Sequence, residues 1–121
     1  MSFSILKPIT MAKFALRPEL NYHKEGDYEL LHEALKKRGF YRVIWLADTA
    51  TKKQAWYDLP TGTYFHESDS TFDQVSAKVI SALTEIGKAN TLYKRDFEVV
   101  IFRYDDVRSN LKLNTDVSKR P

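Results

Sequence analysis

Between Ser70 and Gly87 the apolar positions repeat at helical spacing. Phe72, Val75, Val79, Leu83 and Ile86 follow one another at offsets of three, seven, eleven and fourteen. That period puts all five on one stripe. Ser70 with Asp73 three residues on has capping-box spacing, and Gly87 suits the left-handed residue that ends a helix. A second helical stretch runs from an N-cap at Asp27 through Tyr28, Leu31 and Leu35. It closes at Gly39, after Lys36, Lys37 and Arg38, cations where the helix dipole favours them.

Other stretches carry the pattern of strands. Met11 to Leu16 puts Phe14 and Leu16 on one face and Lys13 on the other, and Pro18 is expected to stop it. Tyr41 to Ala47 is apolar on both faces apart from Arg42, which predicts a central strand. Gln54 to Tyr57 suits a short returning strand, Thr63 to His66 another, and Asp96 to Tyr104 the last strong one. Polar turns lie at Asp48 to Lys53 and Asp58 to Gly62. Apart from the short Gln54–Tyr57 strand, the order βαββαβ predicts an α+β fold, the ferredoxin-like sandwich with two helices on one face of an antiparallel sheet. A single domain over 1–121 is expected, with its core at about 11–106. An arm, 1–10, and a polar, frayed tail, 107–121, flank it, with a short edge strand at Leu111–Leu113 as an option. Strands apolar on both sides need a second cover, and a homodimer supplies it most simply.

Composition narrows the chemistry. The chain has no cysteine, hence no disulfide, thiolate metal site or cysteine nucleophile. No apolar run has the length of a membrane span, and the start lacks a signal-peptide layout, so a cytoplasmic protein without a membrane partner is expected. Glycines 26, 39, 62 and 87 are never clustered, which excludes a phosphate-binding glycine loop. Asp105 and Asp106 at a strand end read as a solvated exit rather than a metal site, and no metal or other cofactor is expected.

Net charge is +3 with pI about 9.1, compatible with nucleic acid. Lys36, Lys37, Arg38, Arg42, Lys52 and Lys53 gather between the end of the first helix and the second turn, with Tyr41, Trp45 and Trp56 among them. Cations beside aromatics suit a single-stranded RNA groove; the alternative is dipole-matched and turn-solubilising charge. A further group, Lys94, Arg95, Arg103 and Arg108, flanks the last strand. Of the histidines, His23 falls in a loop, while His32 and His66 are the candidate bases for catalysis.

From Lys13 to Asp106 the chain resembles the GhoS family, endoribonuclease antitoxins of type V toxin–antitoxin systems with a Cas2-like ferredoxin fold. The resemblance is carried by Arg38-Gly39-Phe40 at the helix end, Ala47-Asp48 before a polar turn, Ser68–Phe72 opening the second helix, and Asp105-Asp106. It implies an RNA-binding regulator that cuts a partner toxin's messenger RNA without a metal motif. The family's suggested functional arginine in the first helix falls at or near His32, a departure from the family. The alternative is a non-enzymatic ferredoxin-like module that docks a protein partner, in a phage or mobile-element setting.

Overall fold

The computed structural model describes residues 11–88, 96–105 and 110–121. The arm 1–10, the cations Lys94, Arg95 and Arg108, and Asp106 lie outside them. The elements are β1 (Ala12–Leu20), α1 (Asp27–Lys37), β2 (Val43–Ala47), β3 (Gln54–Asp58), β4 (Tyr64–Ser68), α2 (Phe72–Glu85), β5 (Phe97–Tyr104) and a 3-10 turn at Val117–Lys119. The fold is mixed α+β with two helices and antiparallel sheets.

β1 is the central strand of a three-stranded sheet ordered β4-β1-β5. Its alternation is the reason: Phe14, Leu16 and Leu20 are sealed from water, while Lys13, Arg17 and Glu19 are exposed. β1 does not stop at Pro18 but continues to Leu20. β4 pairs with β1 only as far as Leu16, opposite Tyr64, and beyond it β5 alone accompanies β1. Pro18 thus lies where one edge of its strand lacks a partner strand, the place where a missing N–H is tolerated.

Both helices bury their stripes on the same side of this sheet. Leu31, Ala34 and Leu35 of α1 and Val75, Val79, Ala82 and Leu83 of α2 join one cluster with Phe14, Leu16, Tyr64 and Phe97. Phe72, at the start of the stripe, is 43% exposed and packs edge-on to Phe14 at 5.9 Å. The α2 cap is Thr71, not Ser70: Thr71 accepts from Gln74 N–H, and the Gln74 side chain accepts from Thr71 N–H. Nor is Asp27 the cap of α1. Gly26 holds that position at φ 89°, and Asp27 accepts from Lys24 N–H and pairs with Lys88 at 3.0 Å.

The stretch expected at the centre of the sheet instead forms a two-stranded hairpin, β2 with β3. A bridge between Tyr41 and Phe65, with N···O distances of 2.8 and 2.7 Å, attaches it to β4. Its apolarity on both faces divides between a buried set (Val43, Ile44, Tyr57) and the half-exposed Trp45, packed edge-on against Trp56 at 5.4 Å.

Residues 110–121 are docked, not frayed. Leu113 bridges to Tyr57, Asp58 N–H donates to Lys112 O, and Asn114 N–H donates to Trp56 O. The buried Asn114 side chain donates to Asp58 Oδ1 at 2.8 Å and accepts from Arg120 Nε at 2.7 Å. Among the described residues no helix is long and apolar enough to cross a membrane.

Val79 lies mid-stripe and fully buried. A carboxylate there has no partner, at a cost of about 4 kcal/mol or more, against about 5–15 kcal/mol for a whole domain. Val79→Asp is expected to abolish the cooperative thermal transition seen by circular dichroism. An unchanged midpoint would mean that α2 does not bury this stripe.

Candidate functional site

A small cleft opens where the end of α1, the Phe40–Arg42 link, β4 and the docked tail converge. His32, Glu33, Lys36, Tyr41, Arg42, Tyr64, Ser118 and Lys119 line its volume of about 100 Å³. Helical spacing puts His32 and Lys36 on one side of α1, one turn apart. Lys36 Nζ donates to the Ser118 carbonyl, which ties the tail to α1. The charge of Arg42 acts both on His32 and on Asp116 of the tail. Three cations, Lys36, Arg42 and Lys119, therefore frame the half-buried His32 ring, with Glu33 as the acid at the rim.

His32 Nδ1 is hydrogen-bonded to the Tyr64 hydroxyl, with ring centroids 5.7 Å apart. Burial pushes the Tyr64 phenol well above its ordinary range, so it remains a donor. A hydroxyl also accepts, so this bond orients the ring while the tautomer decides which partner donates. Burial lowers the His32 pKa, and the Arg42 charge lowers it further, against a smaller opposing effect of Glu29. His32 is thus an oriented imidazole whose pKa lies below its ordinary value.

His66 is placed differently. It is 4% exposed, stacked on Phe40 at 4.4 Å, and tilted against Phe14. Nδ1 donates to Gly39 O at 2.8 Å, and Nε2 meets Ser68 Oγ at 2.8 Å. Because a carbonyl only accepts, Nδ1 carries the proton and Nε2 accepts from Ser68. Ser68 Oγ in turn accepts from Ser70 N–H. Both ring nitrogens serve the core, and neither faces a cavity. Burial also lowers the pKa of His66, against the bond to Gly39.

The basic residues of the 36–56 stretch divide among separate places. Lys36 and Arg42 meet at the His32 cleft. Lys37 and Arg38 reach Glu85 of α2 at 3.2 Å, and Arg38 also donates to Ala34 O and Ser81 Oγ. They lace α1 to α2. Lys52, at φ 61°, and Lys53 belong to the turn between β2 and β3, where Asp48 accepts from Ala50 and Thr51 N–H. Trp56 packs on Trp45 along the hairpin. His23 contacts Leu20 O and the edge of Tyr28. Asp105 is exposed, and among the described residues no three His, Cys, Asp or Glu side chains are placed to hold a metal ion.

Sequence reasoning missed Tyr64 and Lys119 as parts of this cleft. The alternation of β4 carries a signal for Tyr64, since it faces inward with His66. Nothing local marks Lys119, which arrives only because the tail docks. No family model, curated protein or solved structure matches the chain.

Both candidate histidines ionise less readily folded than unfolded, where the ordinary value is 6.5. Their contribution to stability is complete above that pH and is lost as pH falls below it, because the unfolded chain then binds more protons. The thermal midpoint is expected to rise between pH 5 and pH 7.5. In His66→Gln the rise should shrink, and a rise equal to wild type would show that His66 is not buried neutral.

Proposed function

We propose that this protein is a regulator that binds single-stranded RNA, with a backbone phosphate held in the His32 cleft. The observation that carries the reading is the neutral His32, fixed by Tyr64 and framed by Lys36, Arg42 and Lys119. A phosphate there meets three positive charges beside the His32 ring. Metal-free cleavage would need a base for the 2′-hydroxyl, and of the two candidate histidines His32 is the one that lines the cleft. The GhoS-like regulatory setting and a cytoplasmic location belong to the same reading. So does the split βαβ layout, supported by an antiparallel β5-β1-β4 sheet joined to β2 through the Tyr41–Phe65 bridge.

A second reading, a protein-docking module formed as a homodimer, draws on the other side of the sheet. Val100 and Phe102 on β5 are 45% and 52% exposed on the face away from the helices. Light scattering at micromolar concentration should then give twice the 14.1 kDa chain mass, and a monomer rejects it.

Labelled RNA of mixed sequence, titrated in EDTA over a salt series, tests the first reading. Affinity should fall steeply with salt, as phosphate contacts release counterions. Lys36→Ala and Arg42→Ala should each weaken binding and reduce the salt slope by about one, while Lys37→Ala, outside the cleft, should not. Absence of binding at low salt overturns the RNA reading. RNA fragments that appear in EDTA and vanish in His32→Ala would make His32 a base.

A further inference from the structure

His32 lines two cavities. Besides the cationic cleft it borders a larger notch of about 430 Å³, whose other walls are Arg17, Pro18, Glu19, Tyr28, Thr61 and Gly62. The notch has a structural cause. β4 begins at Tyr64, opposite Leu16, so the rest of β1 runs on beside the Thr61–Gly62 turn, with no strand of the described residues filling the gap. Leu20 N–H points to this open edge, where it donates to the Tyr28 hydroxyl at 3.0 Å. Backbone groups two residues apart in a strand share an edge. Pro18 therefore turns its carbonyl the same way, with no N–H beside it.

We infer that this notch is a base subsite: it takes the nucleobase of one RNA nucleotide whose phosphate lies among Lys36, Arg42 and Lys119, with His32 between the two. The inference rests on the RNA reading above and adds to it which part of the nucleotide goes where. Three properties select a base. Pro18 and the Tyr28 ring give apolar walls of the kind on which a flat heterocycle packs. Arg17 and Glu19 offset each other, so the notch lacks the positive excess that a second phosphate would need. The Pro18 carbonyl offers a single acceptor for an amino or imino N–H on the base edge. The shape further selects a single strand, because a base enters such a notch only when splayed out of its stack.

The experiment compares two labelled hexamers with equal numbers of phosphates, hexauridylate and an abasic ribose-phosphate hexamer, by fluorescence anisotropy at one low salt concentration. Wild type should bind hexauridylate about tenfold more tightly, the scale of one base–aromatic contact. Thr61→Trp, a substitution at an exposed turn position, fills the notch and should reduce that preference to within about twofold while still binding the abasic hexamer. Equal binding of the two hexamers by wild type overturns the base subsite and leaves the RNA reading standing. Failure to bind either hexamer overturns both. A tenfold preference that survives in folded Thr61→Trp places the base elsewhere and overturns the subsite. Should that variant not fold, nuclear Overhauser contacts between uridine ring protons and the Tyr28 ring in wild type decide the matter, their presence supporting the subsite and their absence overturning it.

Discussion

The hydrogen bond from His66 to the carbonyl of Gly39 fixes the position of everything around the cleft. It joins the end of α1 to the middle of β4 inside the core. Gly39 ends the helix at φ 87°, and a Cβ there would meet the His66 ring at 3.3 Å, so the close approach needs glycine twice over. From that point the chain follows β4 residue by residue. Phe40 stacks on His66, and Tyr41 pairs with Phe65. Arg42 then arrives beside the cleft where Tyr64 holds His32. A change in the Gly39–His66 contact would shift Arg42 relative to His32, although neither residue touches it.

The tail completes what that contact begins. Residues 112–114 extend the edge of β3 through backbone hydrogen bonds, and Asn114 anchors the end by binding Asp58 and Arg120. Once docked, the tail brings the Ser118 carbonyl to Lys36 and Lys119 to the rim. The cleft thus joins α1, the Phe40–Arg42 link and β4 to the docked tail. Its third cation, Lys119, depends on a segment held by backbone hydrogen bonds and by Asn114.

That difference separates what was legible in the sequence from what was not. The α2 stripe was readable because burial of Val75, Val79 and Leu83 imposes a period that hydropathy reports directly. Its cap was misplaced by one residue, since Ser70–Asp73 and Thr71–Gln74 have the same spacing. Side-chain length separates them: Gln74 reaches back to the cap N–H, a reach that the shorter Asp73 lacks. The docked tail left no apolar signature, because backbone groups and one asparagine hold it. The Tyr41–Ala47 stretch misled in the opposite direction. A strand apolar on both sides suggests the middle of a sheet, but a hairpin with Val43, Ile44 and Tyr57 buried needs the same residues. His66 read as a candidate base, yet its alternation with Tyr64 already placed it on the Phe14 side.

The two candidate histidines also show why burial and a lowered pKa do not by themselves identify a site. Both rings are kept neutral by removal from water, and each has one nitrogen engaged with a neighbouring element. His66 has its second nitrogen satisfied by Ser68, and so its neutrality serves the fold alone. His32 has its Nδ1 taken by Tyr64, and its ring lines a cleft framed by cations. The hydrogen bond to Tyr64 orients the ring, while burial and the Arg42 charge hold its pKa down. What distinguishes the two is where the rings sit: His66 has both nitrogens bonded within the core, whereas the His32 ring lines a cleft open to a ligand.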